Sequence, residues 1–548
     1  MKKRKIIALF LVTCGLLNGC AGKPKEQSSA PVEESQNIEQ SDSVPDDQSV
    51  SEAEKEAPEV DPAIPMLCID TVSRDPNVMD FVTQPVAQHV AEQIASWTPG
   101  YQMPPAPYYE ACQITLYDPK QDGTPAALDA EVKVRGNWTT TYDKKPLRIK
   151  FTEKQNLLGL NDGAEFKNWL LLAAYKDGSM LRDKTALSIA REILEPDGLY
   201  AADAQLVEVQ INGEYWGVYL LTEQQQVDND RIAITEPEQP DYTGTDIGYL
   251  LEFDGYYYNE EPLQQFHVDY NDNAPLKPFE GDEEPKQTIT CLPENDDDIK
   301  RDVGMTIKSK INSQEQHDFI ANYVNQVYRI MYAAAYEDKA YQFNKDYSDI
   351  EPADQMTPQE AVEAVVNVKS LADAYVIAEL TCDADIYWSS FYMDADFGPD
   401  GDKKLTFEAP WDFDSGLGNK KRCKDGTGFY AGSIVPDVDD NTYETVNPWL
   451  AVLMHEDWYQ DIIRETWTKA YDSGVFTNAV RTVMADSETA KEAFKRNYAK
   501  WDNLIHNEAF SMELCKRARD AKSQKEAADY LADWLQSRIN FLNDYWHS

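Results

Sequence analysis

Apolar and polar positions change period along this chain. From Met66 to Phe151 short runs alternate, as in Gln113-Ile114-Thr115-Leu116-Tyr117 and Glu131-Val132-Lys133-Val134, and Pro and Gly clusters separate them. Period two with such breaks predicts β-strands. Asn168–Leu172 continues the apolar signal, and Leu181, Thr185, Ile189 and Glu192 then recur at three-to-four spacing, which predicts a helix over 179–192 with one buried face. A strand pair follows at Leu206–Ile211 and Trp216–Thr222, joined by Asn212-Gly213-Glu214. Asn-Gly between apolar runs is the strongest short hairpin signal. From Asp254 to about Lys300 the chain is acidic, Pro-containing and poorly periodic, and Asn295-Asp296-Asp297-Asp298 reads as a solvated loop rather than a metal site. Beyond it the character is helical. Phe319, Tyr323, Val327 and Met331 line one face, Leu371–Leu380 suggests another helix, and Leu531, Trp534, Leu535, Ile539 and Leu542 form the stripe of a last one. The expected class is α+β, with a β-rich amino-terminal lobe over about 62–253, a helical carboxy-terminal lobe over about 301–548 and an acidic loop between them.

The first 61 residues follow neither period. A basic head, Met1-Lys2-Lys3-Arg4-Lys5, precedes the apolar stretch Ile6–Leu17 and then Leu17-Asn18-Gly19-Cys20. The apolar run is too short for a stable span and reads as an export signal. A small residue before a cysteine at its end resembles the bacterial lipobox, which makes Cys20 the lipidation site and anchor of an extracytoplasmic, membrane-attached lipoprotein. The plainer alternative is a secretory signal with an incidental cysteine. Residues 21–61 are Ser, Pro, Gln, Glu and Asp with almost no aromatic or branched apolar side chains, and so lack the surface to offset the entropy of ordering. A disordered spacer is expected there.

The formal charge of −46 argues against nucleic acid or an anionic membrane surface as partner. A basic, serine-rich protein substrate fits it, as does acidity serving solubility alone. Beyond Cys20 the six cysteines, Cys68, Cys112, Cys291, Cys382, Cys423 and Cys515, form no CxxC pair and are expected mostly as buried free thiols. There is no GxxxxGK[ST] loop, no GxGxxG after a strand, no GxSxG elbow and no HExxH, and the six histidines are scattered.

Two segments carry candidate chemistry. In Arg135–Phe151 two strands flank a polar turn, and Lys145, Arg148 and Lys150 either present positive charge to phosphates or are the solvated cations of a half-exposed strand. Lys145 and Lys150 are five residues apart and so project to opposite faces of a regular strand. In Cys382–Met393 and Phe407–Asp414, carboxylates stand at a helix end and again where an apolar strand turns into a loop. Hard oxygen ligands of this kind suit Mg²⁺, and a further carboxylate can orient or deprotonate an attacking hydroxyl. Surface aspartates in a turn are the competing reading.

Read together, Arg135-Gly136-Asn137-Trp138-Thr139, Lys145-Pro146-Leu147-Arg148-Ile149-Lys150-Phe151, Leu157-Leu158-Gly159-Leu160, Asp177-Gly178-Ser179-Met180-Leu181-Arg182-Asp183, Asn212-Gly213-Glu214-Tyr215-Trp216-Gly217-Val218-Tyr219 with Glu223, and Trp411-Asp412-Phe413-Asp414 resemble the ordered signature of the spore-coat protein H (CotH) kinase family. The resemblance implies a divergent protein-kinase-like, two-lobed fold that transfers the γ-phosphate of ATP, with Mg²⁺ or Mn²⁺, to serine or threonine of exported or surface proteins. By motif, Asp412 resembles the metal-binding aspartate, with Asp414 beside it. Asp383 resembles the catalytic-loop aspartate, with Asp385 the alternative. Lys145 or Lys150 matches the phosphate-contacting lysine, Arg135 and Arg182 are supporting cations, and Glu223 falls near the nucleotide site. Where many members have an asparagine between the two aspartates, this chain has Ser389-Ser390, a poorer metal ligand. Two other readings stand beside this one. The first is a kinase-like surface lipoprotein with weak or no transfer, binding polysaccharide or a protein partner through its aromatics. The second is a glycoside hydrolase using paired carboxylates, with Asp383 or Glu408 as candidates.

Overall fold

The computed structural model describes residues 63–121, 123, 125–277, 279, 291–292, 301–421, 425–433, 435–436, 444–502 and 513–547. The signal, Cys20, the spacer, Asn295–Asp298 and Cys423 lie outside them.

The alternating segments become seven strands: β1 (Met66–Thr71), β2 (Glu110–Tyr117), β3 (Ala127–Val134), β4 (Leu147–Gln155), β5 (Phe166–Leu172), β6 (Ala204–Ile211) and β7 (Glu214–Glu223). Asn212 and Gly213 both have positive φ, 51° and 83°, as a tight primed hairpin turn between β6 and β7 requires. Antiparallel pairing runs β1-β2-β3-β4-β5-β7-β6, and β1 then pairs in parallel with β6, Met66 opposite Glu208, to close a barrel. Its interior is filled by Leu67, Ile69, Val132, Ile149, Trp169, Val209 and Leu221. Strand periodicity predicts these strands but not their closure.

A second sheet combines β8 (Gly248–Asp254), β9 (Gln265–Phe266), β10 (Gly304–Ile307), β11 (Phe391–Asp396) and β12 (Thr406–Phe407), in the order β12-β11-β8-β10-β9. Three of these strands lie beyond Lys300, so the carboxy-terminal region is predominantly, not purely, helical. Its long helices are α2 (Gln314–Glu337), α3 (Val368–Thr381), α4 (Asp457–Asp472), α5 (Val475–Thr489), α6 (Lys491–Lys500) and α7 (Gln524–Trp546). The stripe Leu531, Trp534, Leu535, Ile539 and Leu542 is buried as expected.

The helix predicted over 179–192 is α1 (Arg182–Leu194). Its buried face runs through Thr185, Ala186, Ile189, Ala190 and Ile193, whereas Glu192 is exposed. Although α1 follows the barrel strand β5, its apolar side chains join the core of the second sheet and the helices rather than the barrel interior. Helix α6 docks against the β6–β7 hairpin: Asn497 Oδ1 accepts from Val218 N at 3.1 Å, and Arg496 pairs with Glu208 at 2.7 Å. Cys68, Cys112, Cys382 and Cys515 are buried. No helix among the described residues is long and apolar enough to cross a membrane.

Candidate active site

Two loops meet beneath α1. The first begins where α3 ends: Cys382 adopts a left-handed conformation (φ 47°, ψ 43°) and turns the chain into Asp383-Ala384-Asp385. Asp383 is 1% exposed; its Oδ1 accepts the backbone N–H of Asp385 at 3.0 Å, and its Oδ2 is buried without a hydrogen-bond partner. The second loop leaves β12 and passes through Asp412, again left-handed at φ 70°, ψ 56°. Gly416 lets the two backbones approach: a Cβ there would meet the Thr381 carbonyl oxygen at 3.0 Å and the Asp383 Cα at 3.4 Å. Leu417 N–H then donates to the Thr381 carbonyl at 2.6 Å.

The Asp177–Asp183 block holds the second loop from the other side. Asp177 caps α1 by accepting from Ser179 N, Leu181 N and Arg182 N at 2.8–2.9 Å, and it also pairs with the buried Arg182 guanidinium. Arg182 Nε donates to the Leu417 carbonyl at 3.3 Å, and Asp183 Oδ1 accepts from Phe413 N at 3.0 Å. Non-glycine residues at positive φ thus crowd this junction, with Cys382, Ser390, Ala409, Asp412 and Leu417 all between 47° and 70°. Backbone of that kind persists only where the surroundings over-determine it, and such residues cluster at functional sites.

The outcome is a nest of carboxylates. Asp385, Asp412 and Asp414 each offer an oxygen, all within 4.8 Å of one another, and all three residues keep an edge toward solvent. Burial, reinforced by Asp385, Asp412 and Asp414, raises the Asp383 carboxyl well above the carboxylate range. Burial together with Asp385 and Asp414 lifts Asp412 to about 7, against the pull of Arg135 and Lys176. Asp183 is likewise raised, by burial first and then by Asp414, Asp412 and Asp177. Crowded, largely buried acids favour either protons or a cation, and an all-oxygen donor set of this size fits Mg²⁺ or Mn²⁺. The unpartnered Asp383 Oδ2 beside it is an acceptor with nothing from the protein to accept.

The four aspartates read from the sequence therefore converge, whereas the expected cations disperse. Arg135 lies by the second loop, its guanidinium 6.0 Å from the Trp411 ring centroid. Arg182 sits behind the loop and holds its backbone. Lys145 is buried and donates to the Thr140 carbonyl, and burial lowers its ammonium to about 8. Arg148 donates to Asn168 Oδ1 at 2.9 Å, and Lys150 faces Glu131 at 3.9 Å; both are on the barrel's outer surface. Glu223 is fully buried, accepting from Asp203 N at 2.9 Å and from Arg231 Nε at 3.4 Å. Two residues beside the carboxylates were assigned no role from the sequence: Asp183, inside a recognised block, and Lys176, directly before it.

A family model described as CotH kinase protein matches residues 132–542, which takes in both carboxylate loops and the α1 block. The chain belongs to the CotH kinase protein family. No curated protein matches it. As a CotH kinase protein the chain carries a kinase-like domain, a family for which ATP and a divalent metal are the general expectation. Ser390 Oγ lies 3.4 Å from Asp412 Oδ2.

Proposed function

We propose that this chain is an atypical protein kinase that phosphorylates serine or threonine of a protein substrate, its barrel and helical region serving as the two lobes of a divergent kinase fold. The observation that carries the reading is the convergence of Asp385, Asp412 and Asp414 within 4.8 Å, near enough to the buried Asp383, whose Oδ2 is unpartnered, to reinforce the rise that burial imposes on its carboxyl, in a chain matched to the family across both loops. Bound nucleotide and metal would supply the phosphoryl group and neutralise its charge. Asp385, Asp412 and Asp414 would hold the cation. Transfer would form a bond from the substrate hydroxyl oxygen to the γ-phosphorus and break that phosphorus's bond to the bridging oxygen that leaves with ADP, while Asp383 would take the hydroxyl proton at Oδ2. A carboxyl whose proton affinity is raised by burial suits that task. Asp183 and Arg182 act indirectly, by fixing the backbone that carries Asp412 and Asp414.

The test is transfer of label from ATP, with Mn²⁺ or Mg²⁺, onto the chain itself or onto a serine-rich basic protein. Asp412→Asn is the informative variant, because asparagine tolerates a left-handed backbone where alanine is strained, so lost activity does not merely report lost folding. Incorporation by the parent protein that falls by about 10²-fold or more in the variant is the expected result. Absence of both incorporation and nucleotide binding would replace this reading with a binding protein on a kinase-like scaffold.

A further inference from the structure

The carboxylate nest lacks one component of a phosphate site, because none of the lysines read from the sequence is placed to reach it. Lys145 is committed to the Thr140 carbonyl, and Lys150 is on the outer wall of the barrel. Lys176 is placed differently. Its carbonyl and that of Asp414 accept from the same Asn419 side-chain amide, at 3.3 and 2.6 Å, which sets the two residues side by side. Its ammonium lies 5.6 Å from the Tyr142 ring centroid and 3.1 Å from Glu513. Among nearby charges Lys176 contributes most to offsetting Asp414, ahead of Lys420, and it acts on Asp412 as well.

Resting on the phosphotransferase reading, we propose that Lys176 is the cation that receives the nucleotide's phosphates at this centre, and that Glu513 holds its place until they arrive. Glu513 stands against the ammonium at 3.1 Å, and a carboxylate oxygen makes the same charge-assisted contact with an ammonium that a phosphate oxygen makes. The pair is also asymmetric. The Lys176 side chain is 14% exposed and packed against Tyr142, whereas Glu513 is the more exposed partner at 25%. A packed cation with a more exposed internal anion is an arrangement in which a triphosphate displaces the anion without rebuilding the site.

The experiment is calorimetric binding of a non-hydrolysable ATP analogue, with Mn²⁺, to the full-length protein and to Lys176→Met, Lys176→Arg and Glu513→Gln, with melting temperatures recorded in parallel. Loss of the ammonium should weaken binding about tenfold or more, arginine should restore most of it, and removing the competing carboxylate should tighten binding about three- to tenfold. If the parent protein binds the analogue and both Lys176→Met and Glu513→Gln bind it equally well, the inference is overturned while the kinase reading stands. If the parent does not bind, the kinase reading falls and takes this inference with it. Should Lys176→Met fail to fold, Glu513→Gln decides alone: tighter binding supports displacement, whereas a lower melting temperature with unchanged affinity marks an ordinary structural ion pair and overturns it.

Discussion

Ser390 occupies a left-handed backbone (φ 60°) with its hydroxyl 3.4 Å from Asp412 Oδ2. Asparagine is among the few L-residues at ease in that conformation, and its amide oxygen is a better ligand for a hard cation than a serine hydroxyl. Ser390→Asn should therefore leave the melting temperature unchanged or raised and strengthen Mn²⁺ binding several-fold by titration. A large loss of stability would show that the pocket cannot take the longer side chain. At this scale the sequence disclosed the acids better than the bases. Asp383, Asp385, Asp412 and Asp414 stood at a helix end and a strand end, and those boundaries are what bring them together. Lys145, Arg148 and Lys150 stood in a strand-like pattern, which tells neighbouring faces apart but not which face meets a site 260 residues away. Lys176 and Asp183 left almost no local trace, because their partners, Glu513 for Lys176 and Phe413 for Asp183, stand more than 200 residues further along the chain.

Helices and hairpins were legible for the converse reason: their determinants are local. Asn212-Gly213 set the β6–β7 turn, and three-to-four spacing located α1, α2 and α7. Barrel closure depends on pairing β1 with β6, Met66 opposite Glu208, and no local pattern encodes it. Strand β8 was obscured in another way, since every one of its residues is buried and it shows no alternation. Element packing also includes a fully buried ionic clamp. Arg538 on α7 and Glu379 on α3 form an ion pair with neither side chain exposed, and Arg538 donates to the Gly428 carbonyl at 2.6 Å, while Glu379 accepts from Tyr430 N at 2.8 Å and Ala431 N at 2.9 Å. Tyr387, in the turn that follows Asp385, donates to the Tyr430 carbonyl, so the clamp extends to the first carboxylate loop. Arg538→Met leaves a buried carboxylate uncompensated and should cost about 3–5 kcal/mol in denaturant unfolding. Adding Glu379→Gln removes that charge and should return part of the loss. A double variant no more stable than the single one would argue that Arg538 acts through its packing and carbonyl contacts rather than through Glu379.

Over the whole molecule, charge and burial combine into a pH dependence with a definite sign. Burial, as the largest cause, raises Asp254 and Asp373 to about 6 and Glu408 and Asp412 to about 7. Such groups bind their proton more tightly folded than unfolded, so their contribution to stability is complete below the ordinary carboxylate range and is lost as pH rises through 6 to 7. The net charge of −46 adds self-repulsion that grows in the same direction. Opposing them, Glu337 is held at about 2 by hydrogen bonds from Arg329 and Lys339, and its contribution is present near neutrality and lost only as the solution becomes strongly acidic. Metal-free protein should accordingly melt highest near pH 5 and lower at pH 7.5. Glu408→Gln isolates one part of this slope. Glu408 accepts from Tyr200 N–H and shares a hydrogen bond with Asp394, and glutamine can keep the first contact through its carbonyl and donate the second through its amide. The variant should melt closer to the parent at pH 5 than the slope would suggest and exceed it at pH 7.5, flattening the profile. Mn²⁺ requires ionised ligands, so it should raise the melting temperature more at pH 7.5 than at pH 5 and partly cancel the decline. A parent profile that instead rises from pH 5 to 7.5 without metal would mean that the buried acids are ionised in the folded protein, and that the carboxylate nest is compensated by positive charge rather than waiting for a cation.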